Sequence, residues 1–309
     1  MYQKLVGHDA AVNDVLNMYD VYMAHLNDDQ RPICSTLLVG PTGCGKTHFV
    51  RSLAWAFHNN LDSILRIDCG EFQHKHEVAR LIGAPPGYLG HRETQPLLSN
   101  ERVQATVSKY CPISIILFDE VEKADPDIFD LLLGILDYGT LALNTNETVN
   151  FKNSMLFFTT NLGSPTKGKD AVYTFDGAPQ KAKDYTTRAK RKVESFFRRE
   201  FLNRLNSILY LDTLDKEQCL VVATHELKRF IARSPYKITF TKKVVANLVA
   251  EGWSAEYGAR SLRRLIESKI LRPLTKLILE AKLDRMHTKI HIEPDLTLSV
   301  VTKETKTDV

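Results

Sequence analysis

A mainly parallel α/β sheet covered by helices, followed by a smaller, mostly helical domain, is the fold class this sequence predicts. Three observations lead there. Short apolar runs alternate with helical patterns through the first two-thirds of the chain. The first of those runs enters a glycine-rich loop that opens a helix. Beyond Asp212 the apolar spacing turns mostly helical and closes on two short strand-like runs.

Taken in order, Val12, Val15, Leu16 and Tyr19 recur at helical spacing, and Ser35-Thr36-Leu37-Leu38-Val39 reads as a buried strand with a second helix after its glycine loop. Ser63–Asp68, Ile113–Phe118 and Met155–Thr160 are further strand-like runs, and a helical pattern over Asp127–Leu136 separates the last two. Ligands of such a sheet bind beyond the carboxyl ends of its strands, where Gly40, Asp119 and Asn161 fall. From Ser164 to Glu200 the pattern weakens, with ten Lys or Arg against five Asp or Glu, and reads as a mobile loop running into a basic helix. Helices are predicted over Lys216–Ala232, Lys242–Glu251 and Ala259–Leu283, and strands over Lys289–Ile292 and Thr297–Val301. The expected domains are therefore 1–212 and 213–302, with a polar tail at 303–309.

A length of 309 residues suits two domains with real cores. With 25% charged and 43% hydrophobic residues and a formal net charge of +4, the composition is that of a soluble globular protein and does not demand nucleic acid. Five scattered cysteines without a C-x-x-C pair fit a reducing cytosol. The amino terminus lacks an apolar signal and the apolar runs are too short to span a bilayer, so the sequence predicts a cytoplasmic protein with no membrane anchor.

The chemistry begins at Gly40-Pro41-Thr42-Gly43-Cys44-Gly45-Lys46-Thr47, which fits G-x-x-x-x-G-K-[ST] between a strand and a helix. Small residues let successive backbone N–H groups close round a phosphate of ATP, Lys46 reaches the outer phosphates, and Thr47 can ligate Mg2+. Ile115-Ile116-Leu117-Phe118-Asp119-Glu120 is an apolar strand ending in two acids. Asp119 would position the metal and Glu120 would polarise the attacking water. Asn161 can orient that water or merely cap a turn before Leu162-Gly163. Arg204 alone could be a surface ion-pairing residue, and Arg260, Arg263 and Arg264 share one helix face that is by default a solvated stripe. Tyr88 and Leu89 sit in Leu81–Gly90, a loop framed by glycines and prolines. That loop is either a surface turn packed on a helix or a mobile grip for polypeptide. His74 and His76, two apart, are expected on different faces of a helix and make a poor metal pair.

Together these segments resemble the second ATPase domain of the ClpA/ClpB class of AAA+ unfoldases and disaggregases. The likeness runs from Leu5 to Val300, through the GPTGCGKT loop, Arg80–Gly90, Leu117–Asp137, Thr159–Ser164, Glu200–Arg204 and Tyr257–Arg264. It implies a large AAA+ subdomain followed by a small Clp-type one, and an ATPase using ATP and Mg2+ in a homo-oligomeric, six-membered ring. It implies that Asn161 is the first sensor, Arg260 the second, Arg204 the finger reaching a neighbouring subunit's nucleotide, and Tyr88 the pore-loop aromatic that pulls protein substrate. Departures limit it. The amino-terminal and first-ring domains of two-ring members are absent, so an adaptor must recruit substrate. Asp137-Tyr138-Gly139-Thr140-Leu141 replaces D-D-G-R-L, and Asn144–Glu147 lacks the glycine-rich tip of a second pore loop. No I-G-[FL] tripeptide for docking on the ClpP peptidase occurs in the basic segment, Tyr173-Thr174-Phe175 being the nearest substitute. The expected function is an ATP-driven protein unfoldase or remodelling chaperone. A nucleic-acid remodeller or a nucleotide-gated assembly scaffold are the alternatives, separable by whether Tyr88 and hydrolysis are needed.

Overall fold

Three predominantly apolar runs become the middle of one sheet in the computed structural model, which describes residues 5–83, 95–164, 179–212, 214–253, 259–280 and 288–302. The chain divides into two compact units, Met1–Pro41 with Gly45–Asp212 and Thr213–Val309 with Thr42–Cys44.

The large unit runs α1 (Asp9–Met23), β1 (Cys34–Val39), α2 (Lys46–His58), β2 (Leu65–Asp68), α3 (Lys75–Ile82), α4 (Asn100–Gln104), β3 (Ser114–Asp119) and α5 (Pro126–Tyr138). It continues through β4 (Thr140–Ala142), β5 (Thr148–Asn150), β6 (Ser154–Thr160), α6 (Pro179–Phe196), α7 (Arg199–Leu202) and β7 (Ser207–Tyr210). Its main sheet has the order β2-β3-β6-β1-β7 with every pairing parallel. Strands β1, β3 and β6 are buried at every residue, whereas the edge strands β2 and β7 are largely half-buried. This is why the central runs announce themselves as continuous apolar stretches and Ser207–Tyr210 does not. Register sets Val39 beside Thr160 and Tyr210, and Asp68 beside Asp119, so the polar residues ending these strands fall in a row along one edge.

Local chemistry starts and stops the helices. The Asp125 carboxylate accepts the Asp127 N–H, and Pro126 opens α5 where no helical N–H partner is required. Under the sheet, the rings of Phe118 and Phe158 stack 5.3 Å apart, and Phe158 meets Phe201 edge-on at 5.4 Å. This packing ties the ends of β3 and β6 to α7. Gly163 turns at φ +89°, and a Cβ there would stand 2.6 Å from the Cβ of Ala189 on α6. Only glycine lets the chain leaving β6 pass that helix. The antiparallel β4–β5 hairpin was not foreseen, because its three-residue strands are too short to show a period.

The small unit comprises α8 (Lys216–Ile231), β8 (Lys237–Phe240), α9 (Lys242–Gly252), α10 (Ala259–Ile266), α11 (Arg272–Glu280), β9 (Thr288–Ile292) and β10 (Leu298–Thr302). A sheet of order β10-β9-β8 packs with the helices around Leu227, Leu248, Ile270, Ile290 and Ile292. Helix α8 begins with a reciprocal cap between Asp215 and Gln218.

Two expectations need correction. The helix predicted over Ala259–Leu283 is interrupted by a π-helical stretch, Glu267–Leu271. Ile266, Ile270 and Leu274 are all buried at steps of four, a spacing that drifts around a regular α-helix and that a wider turn brings back to one face. His74 and His76 do not diverge. His74 is the extended N-cap of α3 rather than a helical residue, so the two rings stack at 5.6 Å with planes 8° apart. The stretch 165–178, expected as a mobile loop, lies outside the described residues, and the basic helix α6 follows it.

Candidate nucleotide site

The carboxyl edge of the large sheet gathers the polar residues that the sequence scatters over more than a hundred positions. Gly45 precedes α2 at φ +103°, a left-handed turn that glycine makes without steric cost, and Gly43 sits at φ +81°. That turn leads directly to Lys46, 8% exposed, whose ammonium donates to the carbonyls of Gly40 at 2.7 Å and Pro41 at 3.0 Å and to Asn161 Oδ1 at 2.9 Å. The other end of the Asn161 amide donates to Glu120 Oε1 at 3.2 Å. A single asparagine thus bridges the loop lysine and the second acid.

Glu120 has φ 57° and ψ 48°, left-handed for a residue with a bulky side chain, and such backbone is held only where its surroundings impose it. The Thr159 hydroxyl imposes it from below, accepting the Glu120 N–H at 2.9 Å and donating to Asp119 Oδ1. Lys123, one 3₁₀ turn along, donates to Glu120 Oε2 at 2.5 Å, and this bond raises the lysine pKa. Glu122 Oε1 accepts the backbone N–H of Asn161 at 2.9 Å and so holds the backbone just past the end of β6. Asp119 is buried, with its carboxylate oxygens 3.4 Å from the Thr47 hydroxyl. Burial, and then the negative field of Asp119, Asp68, Glu122 and Glu120, pushes the Cys69 thiol far above its ordinary pKa.

A hydroxyl and a carboxylate this close, both hard oxygen donors, suit magnesium, which takes few protein ligands and shares its shell with phosphates. Residues 31–208 match the family described as AAA domain (Cdc48 subfamily), and residues 212–292 match the C-terminal, D2-small domain of ClpB protein. The chain belongs to the AAA+ ATPases of the ClpA/ClpB class. Among the relatives of this AAA+ ATPase is the ATP-dependent Clp protease ATP-binding subunit ClpC of Staphylococcus epidermidis. It is 36% identical over 286 residues, which cover 91% of this chain and 34% of the relative. ClpC of Staphylococcus aureus gives the same identity and coverage. A reconstruction of Hsp104 with ATPγS and FITC casein superposes with a TM-score of 0.79 at 28% identity, covering 97% of this chain and 50% of that one. The AAA+ chain therefore spans about a third of the length of the curated relatives it matches.

Of the other residues singled out in the sequence, Arg204 follows α7 and its Nε lies 2.5 and 2.6 Å from the two oxygens of Asp137, whose partner Arg31 stands 3.7 Å away. Arg260 is exposed on α10 of the small unit. Tyr88 and Leu89 lie outside the described residues, but the chain on either side is fixed. Leu97 and Leu98 donate to the carbonyls of Arg80 and Leu81, and Asn144 of the β4–β5 turn donates its backbone N–H to Ile82 O and its amide to Gly83 O. Sequence reasoning missed Arg66, Glu122, Lys123, Thr159 and Asp137. Arg66 left a trace as a cation inside the strand-like run Ser63–Asp68, while Thr159 and Asp137 fell within quoted motifs without being given a role.

Proposed function

We propose that this chain is the motor module of a ring-forming, ATP-driven protein unfoldase. The Lys46–Asn161–Glu120 bridge carries the reading, because it joins a phosphate-binding cation, a neutral amide and a candidate base within hydrogen-bond distance. In this reading the N–H groups of Gly40–Thr47 and the Lys46 ammonium bind the phosphates of ATP. Thr47 and Asp119 would hold Mg2+, which supplies Lewis-acid neutralisation of charge on the phosphate oxygens. Glu120 accepts a proton from water as its oxygen bonds the γ-phosphorus and the bond to the ADP oxygen breaks, while Asn161 orients that water. Asp137 presents Arg204 by gripping Nε rather than the terminal nitrogens, which suits a finger serving the nucleotide of an adjacent copy in a ring of six. Arg260 serves as second sensor, and the small subdomain is taken as 213–302.

The protein substrate is supported by kinship with Hsp104, whose reconstruction includes casein. Tyr88 with Leu89 would grip it, on a loop whose base is pinned by Asn144 and by the return of the chain at Leu97. An unknown adaptor delivers the substrate, and docking on ClpP is not part of the proposal. Among the described residues no helix is long and apolar enough to cross a membrane, and none of the cysteines is paired, which suits a cytoplasmic setting. The test is Tyr88→Ala in the full chain. ATPase activity within about twofold of wild type, together with loss of unfolding of a folded reporter protein, is expected for an aromatic that touches substrate alone. Retained unfolding, or a salt-sensitive complex with DNA that ignores the substitution, overturns it.

A further inference from the structure

A cation of the chain's own already sits against the metal-side acid of the site. Arg66 stands on edge strand β2, beside Leu117 of β3. Its guanidinium reaches along the sheet to place Nε 3.0 Å and Nη2 2.7 Å from one oxygen, Oδ2 of Asp119, while Thr159 holds the other. The pair is lopsided, the Asp119 side chain being 7% exposed and that of Arg66 56%. A carboxylate buried that deeply needs polar partners to hold it in place. A half-exposed guanidinium, by contrast, loses little on turning toward water. Asp68, at the end of the same strand, already lies 4.0 Å from Nη2 and is 45% exposed, so a second carboxylate waits where the guanidinium would go.

We propose that Arg66 is a positioning residue that holds the Asp119 carboxylate when no metal is bound and yields Oδ2 by swinging toward Asp68 when magnesium nucleotide enters. The proposal rests on the magnesium-nucleotide reading of this site. Arg66 and a divalent cation cannot share one oxygen without strong like-charge repulsion. Magnesium also sheds water reluctantly, which makes an arginine a real competitor for the carboxylate. Arg66 therefore keeps the acid oriented, and it sets the metal concentration at which the site loads.

Equilibrium binding of a fluorescent ADP analogue to the full chain, in excess Mg2+ and in excess EDTA, tests this with Arg66→Gln and Arg66→Lys. Arg66→Gln should enlarge the gain in nucleotide affinity that magnesium brings by about fivefold, the weight of a half-exposed ion pair, and Arg66→Lys should return it toward wild type. In EDTA, Arg66→Gln should melt below wild type, and the gap should close with Mg2+ and nucleotide. A merely structural role would lower melting equally in both conditions and leave the magnesium gain unchanged, which overturns the proposal. A smaller gain in Arg66→Gln, meaning that the arginine helps hold the nucleotide, overturns it too. Should wild-type affinity ignore magnesium altogether, the site reading itself fails, and a melting gap confined to neither condition marks Arg66 as a plain ion-pairing residue.

Discussion

The carboxyl edge of the large sheet and helix α10 of the small unit both concentrate charge, and they hold it in opposite ways. At the edge, Lys46 and Asp119 are 8% and 5% exposed, and both are bonded to groups on other elements. On α10, Arg260, Arg263 and Arg264 are exposed while Leu262 and Ile266 do the anchoring, and Arg263 reaches across to Glu226 of α8. Burial forces every charge to find a partner, because an unpaired one costs several kcal/mol, so the edge is a preorganised site. The exposed stripe is screened by water, keeps its rotamer freedom, and adds little to stability.

If the edge is preorganised for hydrolysis, Glu120→Gln should cut ATP turnover by about 10²–10⁴-fold in single-turnover phosphate release, because the neutral amide cannot accept the proton from water. Nucleotide affinity should hold, since Lys46 and the glycine loop are untouched. Unchanged turnover would mean that the bridge from Lys46 through Asn161 only braces the sheet.

The next effect concerns the scaffold rather than the charges. Phe158→Ala removes a ring that stacks on Phe118 and meets Phe201, and should cost about 3–5 kcal/mol in a denaturant titration, with the site's hydrogen bonds loosened along with it. A cost below about 1 kcal/mol would show that the strand ends are held by the polar network alone.

The smallest effect belongs to the stripe. Arg263→Ala should lower stability by no more than about 1 kcal/mol, since the arginine side of its pair with Glu226 is 64% exposed. Raising the salt from low to high should shrink even that difference. A loss of several kcal/mol would place α10 in the same class as the sheet edge and end the contrast.

Much of this was legible in the residues. The buried strands β1, β3 and β6 each carry a run of consecutive apolar residues, Leu37–Val39, Ile115–Phe118 and Met155–Phe158, so their existence, their parallel arrangement and the placement of Gly40, Asp119 and Asn161 at or just past their carboxyl ends followed from pattern alone. Strand β7 was not legible, being four half-buried residues at an edge, nor was the π turn, which answers to the spacing of three buried side chains rather than to any local signal. The same division runs through the site. Lys46, Thr47, Asp119 and Glu120 lie in contiguous motifs and could be named in advance. Arg66, Glu122, Thr159 and Asp137 act through partners distant in sequence or through backbone groups, which no spacing rule encodes.

By itself, then, the order of residues determined the longer helices and the central strands, the phosphate loop, the paired acids and the family, because each depends on neighbours within about one turn or one strand of chain. Tertiary structure alone decided that Arg66 faces Asp119, that Asn161 touches Lys46 and Glu120 together, and that Asp137 grips Arg204. Those pairings follow from sheet register and from burial, which bring groups distant in sequence within a few ångströms and leave the buried ones, Lys46 and Asp119, little water to turn to.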